Sequence, residues 1–206
     1  DRLMCGIVGL AGRQDESWLS RMNALLSHRG PDGTGEYRDR EAGVGLAMSR
    51  LSIIDLVGGQ QPMSNEDGAV WLVYNGEVYN APEIRPRLEA AGHRFRTSHS
   101  DTEVIVHLYE ERGEEMLDEL NGMFAFVLFD RRRGMLFGAR DRLGIKPLYY
   151  LARPDLFAFA SELKALLPLP ALAREVDPES LFHYMSLSYV PGTSSILRGV
   201  RRLPPG

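Results

Sequence analysis

Two apolar runs, Met123–Phe129 and Met135–Gly138, flank the basic stretch Arg131-Arg132-Arg133 and its terminal Gly134. That spacing predicts a hairpin with a solvated turn, and so two neighbouring antiparallel strands. Further strands are predicted at Ile7–Ala11, Val44–Met48, Val70–Tyr74, Leu148–Leu151 and Phe157–Ala160, from short β-branched or aromatic runs bounded by turn residues. Leu19, Met22, Leu25 and Leu26 share one helical face, which predicts a helix from about Asp15 to Ser27. Gly30, Pro31, Asp32 and Gly33 then force a loop. Pro82–Ala91 and Ser161–Leu167 are also predicted to be helical, and Asp177-Pro178 opens a last helix. Ser100-Asp101-Thr102-Glu103 matches a capping box ahead of Val104, Ile105, Leu108 and Tyr109, with Gly113 as the stop. Strands in hairpin order, with helices grouped between them, predict an α+β fold of antiparallel sheets covered by helices rather than a doubly wound parallel sheet.

A chain of 206 residues suffices for one large domain, or one domain and the start of another. It holds one cysteine, so no internal disulfide can form, which suits a reducing, cytoplasmic setting. A net charge of -4 without a basic excess argues against nucleic acid as a partner. The longest apolar run falls far short of the roughly 20 residues that span a bilayer, so no membrane partner is expected. Neither GxGxxG after a strand nor GxxxxGK[ST] occurs, so nothing cradles a nucleotide phosphate. His28, His93, His99, His107 and His183 show no paired ligand spacing, and no metal site is expected. His107 reads as a packed or solvated side chain. Three segments are expected: an extension at residues 1–4, a main domain at 5–167, and a proline-punctuated connector at 168–206 leading towards a further domain.

Cys5 lies in Met4-Cys5-Gly6-Ile7. A cysteine at the first position of a mature chain has a nucleophile and a base in one residue, because its α-amine titrates near about 7.7–8.0. The plain alternative is a small buried side chain at the start of a strand. Three polar clusters sit at the ends of predicted elements: Arg50-Leu51-Ser52-Ile53-Ile54-Asp55, Asn75-Gly76-Glu77 and Ser98-His99-Ser100-Asp101. A thiol attacking an amide needs donors for the oxyanion, and Asn75 and Gly76 offer two. Arg50 offers a planar partner for a carboxylate, and Asp101 or Glu77 an acid for an ammonium group. Each cluster also has a plain alternative. Asn-Gly is a common hairpin turn, Asp101 suits a helix start, and Arg50 can pair with Asp55 at the surface.

Taken together, Met4-Cys5-Gly6-Ile7, His28-Arg29-Gly30-Pro31-Asp32, Arg50–Asp55, Asn75-Gly76-Glu77-Val78-Tyr79-Asn80, Ser100–Val104, Gly122–Phe126, Arg140–Tyr149 and Ala160–Leu166 resemble the class II glutamine amidotransferases. Their glutaminase domains are N-terminal nucleophile hydrolases. The pattern is nearest to the N-terminal domain of glutamine-hydrolysing asparagine synthetases, and it runs from Met4 almost to the end of the chain. The resemblance implies a four-layer αββα sandwich of two mainly antiparallel sheets. It implies L-glutamine as substrate, hydrolysed to glutamate through a thioester at Cys5, with Asn75 and Gly76 as the oxyanion hole. Arg50 would bind the substrate carboxylate, Leu51, Ser52, Ile53 and Ile54 would line the pocket, and Glu77 and Asp101 would hold the amino group. Ammonia would pass to a C-terminal synthetase domain using ATP and magnesium, whereas the glutaminase domain itself would need no cofactor. The oligomeric state stays open, a homo-oligomer included. Other class II enzymes, with a sugar phosphate or a β-lactam precursor as acceptor, and a non-catalytic scaffold role remain as alternatives. Residues 1–4 depart from the pattern, and activity is expected only once Met4 is gone.

Overall fold

The computed structural model describes residues 4–13, 15–51 and 59–206. The elements run in the order β1 (Gly6–Gly12), α1 (Glu16–Ala24), β2 (Gly33–Asp39), β3 (Val44–Arg50), β4 (Met63–Ser64), β5 (Val70–Val78), α2 (Ala81–Ala91) and α3 (Asp101–Arg112). They continue with β6 (Gly122–Asp130), β7 (Met135–Arg140), β8 (Tyr149–Arg153), β9 (Leu156–Ala160), α4 (Pro178–Leu187) and β10 (Val200–Arg202). One sheet has the order β10-β8-β9-β1-β3-β2 and the other β4-β5-β6-β7, and every strand pair is antiparallel.

The layering follows from the two-residue period of the strands. In β6, Ala125, Val127 and Phe129 face the other sheet, while Phe124, Phe126 and Leu128 face α2 and α3. In β1, Ile7 points to the seam between the sheets, and Val8 and Leu10 point to α1. Three apolar seams result. The outer one on the larger sheet takes Leu19 and Met22 of α1. The middle seam joins Ile7, Leu46 and Met48 to Val73, Val127 and Phe129. The third packs Leu88, Ile105 and Leu108 on the smaller sheet. This is the expected αββα sandwich. Phe129 is 1% exposed in the middle seam. Phe129→Ala should therefore cost about 3–5 kcal/mol, seen in urea as a lower midpoint at an unchanged slope.

Several predicted elements change on inspection of the fold. The hairpin at 122–140 forms as expected, with Arg131–Arg133 in its turn. α1 ends at Ala24, short of Ser27. β2 was not legible, because Gly-Thr-Gly-Glu-Tyr-Arg-Asp is an edge strand with a largely polar, half-exposed pattern. Segment 161–167 contains a short 3₁₀ turn at Leu163–Leu166 in place of an α-helix. Ser100 occupies the N-cap position of α3, but its side chain makes no capping bond. Glu103 reaches back past it, accepting from the Arg96 and Thr97 amides at 2.7 and 2.9 Å and the Thr97 hydroxyl at 2.6 Å. Burial disfavours its charge, but His107 and the Thr97 donors outweigh that and lower its pKa to about 2. Asp177 does cap α4, accepting from the Ser180 amide at 2.9 Å. The stretch from residue 168 onward folds back on the larger sheet. Leu169, Leu172 and Val200 join the α1 seam, and β10 becomes the edge strand beside β8.

Candidate active site

A cleft of about 140 Å³ opens between the ends of β1 and β3 on one sheet and β5 on the other. Cys5, Arg50, Leu51, Asn75, Gly76, Glu77 and Asp101 all line it. Ser52, Ile53, Ile54 and Asp55 lie outside the described residues. Cys5 and six residues from three separate clusters thus converge on one concavity, which their sequence spacing alone could not establish.

Asn75-Gly76 is not a hairpin turn. β5 runs straight through it, with Asn75 opposite Ala125 and Gly76 opposite Phe124. The register decides where the Gly76 amide points. Phe124 sends its N–H to Asp141 at 3.2 Å and accepts from the Asp141 amide at 2.8 Å, so both of its polar groups face away from β5. Gly76 is therefore the non-hydrogen-bonded partner in this pair, and its amide faces the opposite edge. On that edge the Tyr74 amide donates to Gln61 Oε1 at 2.7 Å and the Val78 amide to Asp101 Oδ2 at 2.9 Å. The Gly76 N–H lies between them, towards the cleft. Only glycine fits here, because a Cβ would meet the Met123 carbonyl at 2.2 Å. Asn75 is 2% exposed, and its Nδ2 has no hydrogen-bond partner among the described residues. A buried, unspent amide donor costs roughly 1–3 kcal/mol, so its retention at the wall of a cleft calls for an acceptor.

Cys5 is half-buried, its Sγ donating to the Leu51 carbonyl at 3.5 Å and accepting from the Leu51 amide at 3.4 Å. Burial pushes the thiol pKa up, partly offset by the Leu51 amide and the Arg50 and Arg29 charges. With the raising effect ahead, the sulfur is a thiol near neutrality and needs a base to become a nucleophile. Two residues that site reasoning missed hold it in place. Arg29 donates through Nε to the Cys5 carbonyl at 3.1 Å and through Nη1 to Glu162 at 2.8 Å. Ser161 Oγ accepts from the Ile7 amide at 3.0 Å. Arg29 and Glu162 sit in recognised motifs, which was the available signal, but a carbonyl-to-guanidinium bond leaves no trace in spacing.

Asp101 is buried at the start of α3, accepting from the Tyr74 hydroxyl at 2.7 Å as well as from Val78. More than a helix dipole therefore fixes it. Burial, together with Asp101, drives the Tyr74 pKa well above its usual value, so Tyr74 stays a donor. Lys146 also reaches the cleft, and sequence reasoning gave it no part there. Burial, with Arg29 nearby, lowers its pKa. Asp141 positions Lys146 by accepting from its amide at 3.0 Å while also accepting from Ile145 at 2.9 Å. No histidine lines the cleft among the described residues, so it offers no imidazole for a metal. Elsewhere the fold gathers Glu66, His93, His107 and Glu110, residues whose spacing had suggested no metal pair. His107 is packed and ion-paired: burial opposes its charge, but Glu103 and Glu110 outweigh it and raise its pKa to about 9.

The family of glutamine amidotransferase domains matches residues 4–206. Asparagine synthetase [glutamine-hydrolyzing] 1 of Bacillus subtilis is 42% identical over 98% of this chain and 33% of its own length. Asparagine synthetase [glutamine-hydrolyzing] 2 of Arabidopsis thaliana is 47% identical over 79% of the chain and 28% of its own. Among solved structures, the glutamine phosphoribosylpyrophosphate amidotransferase of B. subtilis, complexed with ADP and GMP, is similar with a TM-score of 0.64 and 25% identity, over 79% of this chain and 43% of that one. The chain spans about a third of the length of the B. subtilis synthetase. A family match over nearly every residue, a shared fold, and a thiol lining the same cleft as a residue with an unspent amide donor lead to one conclusion: the chain belongs to the glutamine amidotransferase domains.

Proposed function

We propose that this domain hydrolyses the side-chain amide of L-glutamine at Cys5, and that the ammonia serves an ATP-dependent asparagine synthetase domain. The observation that carries the hydrolytic reading is the pairing of the Cys5 sulfur with the unpartnered Asn75 Nδ2 and the adjacent Gly76 N–H across one cleft. The Cys5 sulfur attacks the amide carbon, and its proton passes to the α-amine of Cys5 once Met4 has been removed. Negative charge collects on the former carbonyl oxygen, where Asn75 and Gly76 donate to it. The amine returns the proton to the leaving nitrogen, ammonia departs, and a thioester remains. Water attacks the thioester carbon, gives its proton to the amine and releases glutamate and the thiol. Arg50 pairs with the substrate α-carboxylate, Leu51 lines the pocket, and Glu77 and Asp101 face the α-ammonium group. This half of the reaction takes no cofactor, whereas ATP and magnesium belong to the synthetase half.

The acceptor reading is supported by the asparagine synthetases among the relatives and by apolar surface on α4. Phe182 and Met185 of that helix are 68% and 77% exposed, a face suited to packing against another domain. A cytoplasmic location is part of the same proposal. Asn75→Ala tests the hydrolytic reading. It removes one oxyanion donor and should lower kcat for glutamate release by about 10²–10³, with KM changed far less. An unchanged kcat would remove Asn75 from the reaction.

A further inference from the structure

On the side of α3 remote from the cleft, four side chains from three segments turn their ligand atoms towards one point. Glu66 comes from the turn between β4 and β5, His93 follows α2, and His107 and Glu110 stand on α3. Their ligand atoms all lie within 4.8 Å of one another. His107 Nδ1 is 3.1 Å from Glu110 Oε2 and 3.7 Å from Glu66 Oε2. His93 Nδ1 is 3.7 Å from Glu110 Oε2 and 3.9 Å from Glu66 Oε1. Four donors at about 2.0–2.1 Å from a tetrahedral zinc stand roughly 3.4 Å apart, so these separations need only small shifts to accept one.

The surroundings of the two imidazoles point the same way. A metal-bound histidine usually presents its second nitrogen to a carboxylate, which fixes the ring and its tautomer. Here the His93 ring does so. His93 Nε2 is 2.9 Å from Glu111 Oε1. His107 Nε2 faces Glu103 Oε1 at 3.8 Å and has no hydrogen-bond partner of its own. The carboxylates are steadied as well: Asn65 Nδ2 donates to Glu110 Oε1 at 2.6 Å, and the Arg94 amide donates to Glu66 Oε1 at 2.8 Å. His107 is buried while Glu66 is exposed, so an ion has a path in from the Glu66 side. A salt-bridge cluster alone would require only one ring near one acid. Two rings, each between an inner and an outer carboxylate, exceed that requirement.

From this arrangement we infer that Glu66, His93, His107 and Glu110 form a binding site for a divalent transition-metal ion of the zinc class. Nitrogen and carboxylate donors select zinc, cobalt or a similar ion over calcium and magnesium, which favour all-oxygen shells. With all four positions filled by the protein, the site is structural. It ties the β4–β5 turn and the end of α2 to α3, the helix whose first residue is Asp101 of the cleft. Ion binding displaces any proton held at the two Nδ1 positions.

The test uses the full chain carrying Cys5→Ala, so that the thiol cannot bind the ion, stripped with a chelator. Zinc is titrated in competition with a chromophoric indicator, and cobalt is added separately to read its visible bands. The expected result is one zinc per chain, the intense bands of four-coordinate cobalt, and a thermal midpoint raised by about 5–10 °C at zinc a hundredfold above Kd. Glu66→Gln and His93→Gln lie at the surface side of the cluster and should preserve the circular dichroism spectrum. Each should weaken zinc at least about tenfold. Failure of the parent to bind zinc in competition, or binding undiminished in both variants, overturns the site and leaves an ion-pair cluster. The readout is metal, so either result is independent of glutamine hydrolysis.

Discussion

Replacing Cys5 by alanine is expected to reduce glutamate release from glutamine by at least about 10⁴-fold, while the protein melts within about 4 °C of the parent. The size of the loss follows from the roles across the cleft. In the proposed mechanism Asn75, Gly76 and Arg50 would hold and polarise the substrate, but no other residue of the sequence supplies a thiol to accept the acyl group. Stability changes little because Cys5 is only half-buried and sits just before β1, where Arg29 holds its carbonyl and Ser161 the neighbouring Ile7 amide. A variant that still releases glutamate at a tenth of the parent rate would displace Cys5 as nucleophile. A glutamine-like alkylating agent should, in parallel, label the parent on sulfur and leave the variant unmodified.

The second large effect concerns Met4. While Met4 is attached, the nitrogen of Cys5 belongs to a peptide bond, whose delocalised lone pair is no base. Burial holds the thiol pKa above its ordinary value, so the sulfur stays protonated near neutrality. Met4 also lines the cleft. Protein retaining Met4 should therefore hydrolyse glutamine about 10²–10⁴-fold more slowly than protein beginning at Cys5. Rate and pH test the same claim together. In the processed form the α-amine must be unprotonated to act, so the rate should climb as pH rises through about 7.7–8.0 and then level off. In the unprocessed form that step should be missing. Intact-mass spectrometry on each preparation assigns the start residue, and full activity with Met4 attached would remove the amine from the reaction.

The sandwich was legible where apolar alternation was strong. β6 and β7 flank a basic turn, and β1 and β9 are short apolar runs, so hairpin order followed from the chain, whereas the four-layer count came from the family resemblance. β2 was hidden because an edge strand has little to bury, and the capping box failed because Glu103 found the Thr97 amide and hydroxyl instead of Ser100. At the site, Cys5, Arg50, Asn75, Gly76 and Asp101 were identifiable by chemical type. Their convergence was not, since Asn75-Gly76 carries the same letters as a two-residue turn. What separates the two is the β5–β6 register, a long-range fact that no window of sequence contains. Arg29 was invisible as a site residue for a similar reason, because its partner is the backbone of Cys5. The His93–His107 pairing was missed because the two rings are brought together by α2 packing against α3, not by helical spacing.

The proposed nucleophile sits just ahead of β1 of the larger sheet, and its proposed oxyanion donors lie on β5 of the smaller one. On that proposal neither sheet alone holds a complete site, and the reactive pair comes together only when the two sheets have docked. Amide cleavage by this mechanism would thereby be tied to a completed tertiary structure, and a nascent or partly opened chain would not squander glutamine.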